Sequence, residues 1–279
     1  MTLRFSRRLA GLARPLDAVA DPVQDAVKAL PRPVRDALDG VWLGAPLHPA
    51  LTDVPLGAWT AAAALDVAGS RAADGALLVG VLGAVPAAVT GLNDWSHLRD
   101  DSRRLGMVHA LLNTVGLTLN IASLVARRGG RRGRARLLSG VAYGGALLAA
   151  HLGGQLSFGV GVRVNRTAFE SPRESFAPVC DESELEGGRL VGVELEGEAV
   201  VIARSETSGE VCALAGTCSH LSGPLAEGER EGDTVVCPWH GSRFDLCSGD
   251  VEGGPAVFPQ PRYETRVRAG KVEIRAARD

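Results

Sequence analysis

The chain has 279 residues, of which 46% are hydrophobic but only 4% aromatic, and 35 are glycine; such a composition is typical of helices packed closely in a lipid bilayer. Residues 1–170 carry 19 basic and 12 acidic side chains, whereas residues 171–279 carry 11 and 20. This asymmetry indicates two separate modules, and the acidic second half argues against a nucleic-acid partner.

Residues 1–44 form the predicted N-terminal segment, in which residues 1–40 are polar, carry arginines and lack the apolar core of a cleavable signal peptide. Asp21-Pro22 predicts a helix start, with an N-cap followed by proline in the first turn. Val23, Val27 and Leu30 then fall on one helical face. We therefore predict short amphipathic helices at the membrane surface, and a floppy tail is the alternative.

Four apolar stretches predict a four-helix transmembrane domain over residues 45–162. About 20 apolar residues span a bilayer as a helix, and a buried soluble bundle is the alternative. Asp53 and Asp66 interrupt the first stretch. The stretches are Leu51–Ala68, Ala76–Leu92, Leu105–Ala126 and Leu137–Val162, and the last three contain no charged residue.

The loop Arg127–Arg136 contains six arginines. By the positive-inside rule, this loop alone would lie in the cytoplasm and place the second half of the chain outside. Three cysteines, at positions 180, 212 and 247, show no pairing pattern, which indicates a reducing compartment. We therefore expect the second half in the cytoplasm. Arginines on the other side of the membrane favour the same orientation: Arg32, Arg35, Arg99, Arg103, Arg104, Arg163 and Arg166.

Residues 163–175 form a predicted polar linker, and residues 176–279 contain short β-type runs separated by Gly, Asp, Ser and Pro. Short strands with regular turn signals are typical of an antiparallel β domain. The predicted fold class is α+β in separate domains, with a transmembrane helical bundle followed by an all-β domain.

The second half contains Cys218-Ser219-His220 and, after 16 residues, Cys237-Pro238-Trp239-His240. Two thiolates and two imidazoles can complete the coordination of a 2Fe–2S cluster, and the histidines raise its potential above that of all-cysteine clusters. Tetrahedral zinc accepts the same four donors, although zinc ribbons usually begin with a C-x-x-C knuckle. Zinc is the alternative to the cluster.

With the following Gly241-Ser242-Arg243-Phe244-Asp245, this motif resembles the Rieske iron–sulfur family over about the last 100 residues. The resemblance implies that Cys218 and Cys237 bind a buried iron. It also implies that His220 and His240 bind an outer iron and present their ring edges as the electron port.

Further details of the motif resemble the ferredoxin and oxygenase branch of that family. The extra cysteines of cytochrome bc Rieske subunits are absent. Gly253–Ala256 resembles the family's proline loop, in which Pro255 covers the cluster, and Ser242 matches a hydroxyl that hydrogen-bonds a bridging sulfide. Phe244 stands where high-potential members carry tyrosine. Because fewer donors reach sulfur, we predict a low to intermediate potential.

Three histidines, His48, His109 and His151, are predicted at similar depth on one side of the membrane. They are candidate ligands of a b-type haem or another metal; the alternative is hydrogen bonding between helices. The segments His48-Pro49, Gly91–Trp95 and His151–Gly154 resemble a bacterial four-helix membrane domain of unknown function that is sometimes fused to Rieske domains.

The sequence therefore predicts a multi-pass protein of a bacterial cell membrane that carries single electrons. Its partner would be a redox protein or a membrane site such as a quinone. No obvious 2-His-1-carboxylate site is present, so an electron carrier is favoured over a complete enzyme. The alternatives are the electron-donating component of a membrane oxygenase or desaturase, and a non-enzymatic redox sensor.

Overall fold

A computed structural model describes residues 13–170 and 174–277 of the chain. The chain divides into two compact units. The helical unit comprises Met1–Val34 and Pro46–Val162, and the β unit comprises Arg35–Ala45 and Arg163–Asp279. The β unit is therefore built from two separate segments of the sequence, one of which precedes the helical hairpins.

Six α-helices precede the strands in the described part of the chain. Amphipathic α1 contains Asp21 and Pro22 in its interior, so the helix does not begin at the predicted N-cap. Asp21 instead pairs with Arg103, at 2.5 Å. The helices are α1 (Ala13–Lys28), α2 (Arg32–Asp39), α3 (Leu47–Val67), α4 (Ala73–Trp95), α5 (Asp100–Arg128) and α6 (Arg132–Gly154), and α6 continues into a π-helical turn, Gln155–Gly159.

Three described helices are long and apolar enough to cross a membrane: Ala73–Trp95, Asp100–Arg128 and Arg132–Gly159. By length and hydropathy, the predicted count of four transmembrane helices is therefore not matched. The remaining predicted span, the first stretch Leu51–Ala68, corresponds to α3, which is 21 residues long. Two aspartates, two prolines and a histidine lower its hydropathy, so its length alone does not make it a candidate span.

Helices α3 and α4 pack along each other, as do α5 and α6. Glycines permit the close approach: a Cβ added to Gly80 on α4 would lie 2.3 Å from Nε1 of Trp59 on α3. At one end of the helices, the buried Arg127 guanidinium donates to Asp66 at 2.8 Å and to Asp74 at 2.9 Å. A buried charge is tolerated only with such partners.

The β unit contains two antiparallel sheets, which agrees with the predicted all-β domain. The larger has strand order β1-β10-β9-β4-β3-β2, and the smaller has order β5-β6-β7-β8. The strands are β1 (Ala177–Asp181), β2 (Val191–Leu195), β3 (Glu198–Arg204), β4 (Val211–Ala215), β5 (Glu229–Glu231), β6 (Thr234–Val236), β7 (Arg243–Asp245), β8 (Val251–Gly253), β9 (Arg262–Arg268) and β10 (Lys271–Ala276).

A disulfide joins Cys212 on β4 to Cys247 in the turn after β7. The expectation of unpaired cysteines is therefore wrong for these two residues, while Cys180 is free and buried. Spacing did not reveal the pair, because 35 residues and both cysteines of the motif separate its members. The cytoplasmic placement of the β unit thus loses one of its two supports, the unpaired cysteines, and keeps only the arginines that favour the same side.

Candidate metal centre

Two loops with the same backbone pattern carry the four motif residues. The first loop, residues 216–223, follows β4, and the second, residues 237–242, joins β6 to β7. The Cys218 amide donates to the Gly223 carbonyl at 2.8 Å, and the Cys237 amide donates to the Ser242 carbonyl at 2.8 Å. Four residues after each cysteine, Ser222 and Gly241 adopt positive φ, which allows each loop to turn back.

The structure brings all four predicted side chains together. Cys218 and Cys237 are only 1% and 3% exposed, and the first loop also buries His220. The imidazole rings of His220 and His240 stand edge to face, with centroids 5.2 Å apart. Gly223 leaves room for this arrangement, since a Cβ there would lie 2.6 Å from the Cys237 sulfur. The thiols are thus enclosed, while His240 is half-exposed.

The two thiols are in hydrogen-bond contact with each other. This bond lowers the pKa of Cys237 to about 7 and raises the pKa of Cys218. Thiolate is the form of cysteine that binds metal, and the lowered pKa of Cys237 favours that form.

No three His, Cys, Asp or Glu side chains within residues 13–170 and 174–277 form a group that could hold a single metal ion. A Rieske cluster does not require such a group, because each of its two irons takes only two protein ligands. Two thiols and two imidazoles on two loops are the donor set that such a cluster takes.

Residues 175–264 match the family model described as the Rieske 2Fe–2S domain, and residues 44–166 match a predicted membrane protein family, DUF2231. Ferredoxin CarAc of Metapseudomonas resinovorans is 31% identical over 96 residues, covering 34% of this chain and 89% of that protein. The chain belongs to the Rieske 2Fe–2S family. Its cofactor is accordingly a 2Fe–2S cluster.

Two other similarities cover the Rieske domain. Apoptosis-inducing factor 3 of Mus musculus is 33% identical over 111 residues, which cover 39% of this chain but only 18% of that protein. The solved complex of reduced oxygenase and oxidized ferredoxin in carbazole 1,9a-dioxygenase contains a chain that is 28% identical, with TM-score 0.35, covering 37% of this chain and 95% of that one.

Residues around the two loops of the Rieske domain close the site. Ser242 is buried, and its hydroxyl accepts a hydrogen bond from the Ala256 amide at 3.0 Å. Ala256, in the proline loop Gly253–Ala256, packs in one core with both motif cysteines and with the fully buried Phe244. The predicted supporting residues Ser242, Phe244 and Pro255 therefore belong to elements that surround the thiols.

Gln260 is a supporting residue that the sequence did not reveal. Its side-chain oxygen accepts from the Ser219 amide at 2.9 Å, and its nitrogen donates to the carbonyls of Ala215 and Thr217 at 2.9 and 2.8 Å. It thereby fixes the start of the first loop. Because 41 residues separate it from Ser219, no local pattern could have identified it.

The histidines of the helical unit make contacts of a different kind. His48 Nδ1 lies 2.8 Å from the Ala87 carbonyl, and His109 Nδ1 lies 2.8 Å from the Ala149 carbonyl. His151 is exposed on α6. The first two thus hydrogen-bond between neighbouring helices, as the alternative interpretation predicted, and these positions give no support for the predicted haem or metal.

Proposed function

We propose that this protein is a membrane-anchored carrier of single electrons. Its cluster would be held by Cys218, His220, Cys237 and His240. The observation that carries the proposal is the arrangement of these four donors on two matched loops, with both sulfurs enclosed and one imidazole half-exposed. When bound, the cluster supplies a one-electron couple.

The protein's own residues define the path of the electron. Both thiols are buried on the inner side of the site, whereas His240 is partly exposed beside Trp239, which is 49% exposed. The electron would therefore enter and leave through the imidazole edge. Phe244 offers no hydroxyl in its position, so the hydrogen bonding that raises the potential in other members is weaker here.

An oxygenase-type protein is the favoured redox partner. CarAc is named a ferredoxin, and further relatives about 30% identical are named ferredoxin components of dioxygenase systems. This supports the alternative in which the protein donates electrons to an oxygenase or desaturase component. A quinone partner is a sequence-based prediction that no described contact favours.

Three candidate spans and the match to a predicted membrane protein family support attachment to a bilayer. We propose that the β unit faces an oxidising, non-cytoplasmic compartment. The disulfide Cys212–Cys247 supports this side, since disulfides persist outside reducing compartments. The loop Arg127–Arg136 supports it too, because one candidate span separates this loop from the β unit and six arginines favour the cytoplasm.

The test of the cluster is an electron paramagnetic resonance (EPR) spectrum of dithionite-reduced, detergent-purified protein, with iron and sulfide analysis. We expect a Rieske signal with two irons and two sulfides. Cys237→Ser should abolish the signal because a thiolate ligand is lost. Cys180→Ser, which changes a buried free cysteine outside the two loops, should retain it. Bound zinc without a signal, or a Rieske signal in Cys237→Ser, would contradict the proposal.

A further inference from the structure

Two short segments outside the matched Rieske domain are part of the β unit. One is Arg35–Ala45, which precedes α3. The other is residues 163–170, which follow the last candidate span. Neither segment lies within residues 175–264, where the Rieske model matches. Both nevertheless contact the loops that surround the cluster site.

The first segment packs on the proline loop. The Asp36 carboxylate accepts a hydrogen bond from the Gly254 amide at 3.0 Å. A Cβ on Gly254 would lie 2.8 Å from a carboxylate oxygen of Asp39 and 3.2 Å from a methyl group of Val41. Gly254 thus allows this segment to approach the backbone of the loop directly.

Arg163 joins the two segments to the same loop. Its guanidinium donates to the Pro255 carbonyl at 2.6 Å and to the Asp39 carbonyl at 2.6 Å, and it pairs with the Asp39 carboxylate at 3.1 Å. The side chains of Arg163 and Asp39 are only 5% and 2% exposed. In an ion pair removed from water to this extent, loss of one member leaves the other as an uncompensated buried charge.

The backbone around Arg163 supports a specific role. Arg163 has φ of 61°, a left-handed conformation that is uncommon for a residue with a side chain. Strain of this kind persists where surrounding contacts fix it, and it is found at functional sites. Three residues later, the Arg166 amide donates to the Ser219 carbonyl in the first loop at 3.0 Å.

We propose that Arg163 and Asp39 are positioning residues that hold the proline loop over the cluster and tune its reduction potential. The inference rests on the proposed cluster function and extends it, because it assigns this role to segments outside the Rieske domain. Reduction adds a negative charge to the site, which a nearby cation stabilises and a nearby anion destabilises. The two residues should therefore influence the potential in opposite directions.

The test is a redox titration of full-length protein, followed by EPR, together with the half-life of bound iron under a chelator. Asp39→Asn should raise the midpoint potential, and Arg163→Gln should lower it. Both should shorten the half-life of bound iron several-fold, since the loop is held less firmly. Compared with Arg163→Gln, Arg163→Lys should bring the midpoint potential closer to the wild-type value than the half-life of bound iron. Lysine keeps the positive charge but not the paired donors of the guanidinium. The control is Lys271→Gln, which breaks an exposed pair with Asp181.

Unchanged potential and iron retention in Asp39→Asn and Arg163→Gln would overturn the inference, and so would shifts in the same direction. If Arg163→Gln does not accumulate, Asp39→Asn, which preserves size and shape, decides the matter alone. A wild-type protein without a Rieske signal would instead refute the proposed function. The two failures are therefore distinguishable.

Discussion

Removal of the disulfide should strongly destabilise the β unit. The bond connects β4, which leads into the first loop, to the turn that follows β7 and the second loop. Its partners are 35 residues apart, and a chain-entropy estimate for a closed loop of that length gives about 4 kcal/mol. For a unit of about 130 residues, this corresponds to a decrease in Tm of roughly 15 °C.

The variant is Cys212→Ala, followed by thermal loss of the cluster's visible absorbance and of far-ultraviolet circular dichroism without reductant. Cys180→Ala is the matched control, because it removes the same atoms from a buried free cysteine and should cost only about 1 kcal/mol. Equal decreases in Tm for the two variants would refute the reasoning. So would five titratable thiols, instead of three, in unfolded and cluster-free wild-type protein.

Three further predictions concern orientation, the helices and pH. Alkaline phosphatase fused after Asp279 should be active and a green fluorescent protein fusion dark; the reverse pattern would place the β unit in the cytoplasm. Arg127→Ala should destabilise the helical unit in detergent by about 2–3 kcal/mol, because it removes charge-assisted hydrogen bonds to Asp66 and Asp74, whereas the exposed Arg134→Ala should not. Burial, and secondarily the charge of Glu198, raises the pKa of Glu170 to about 7; its contribution to stability is complete below pH 4.5 and is lost as the pH rises through about 7. The free energy of unfolding should therefore fall more between pH 5 and 8 in wild type than in Glu170→Gln.

Local patterns predicted the parts of the structure that depend on neighbouring residues. Charge-free runs identified α4, α5 and α6, and the paired motif identified the four side chains that meet on two loops. Ligation by those side chains is a prediction for spectroscopy to test. The length of the apolar stretch did not distinguish α3 from a candidate span, because helix formation depends on backbone geometry whereas membrane insertion depends on summed hydropathy.

The parts that could not be predicted depend on contacts between distant residues. Cys212 meets Cys247 only because β4 and the turn after β7 are brought together by the packing of two sheets. Gln260 supports a loop 41 residues away. Arg163 was assigned to a polar linker, since nothing in its neighbourhood signals the buried carboxylate of Asp39, 124 residues earlier.

The hydrogen bonds of the helical histidines imply that this unit is built from two copies of one hairpin. His48 contacts the carbonyl of Ala87, 39 residues later, and His109 contacts that of Ala149, 40 residues later. Each alanine precedes by four residues a glycine that lies against the same ring, Gly91 or Gly153. His48 and His109 are 61 residues apart in the sequence. Asp66 and Arg127, which form an ion pair, are also 61 residues apart. Equivalent positions of the two hairpins therefore contact each other in this ion pair. If two identical hairpins paired, the same charge would stand at both of these positions and the two would repel. Asp66 in the first hairpin and Arg127 in the second therefore favour pairing of the two different hairpins over self-association of either one.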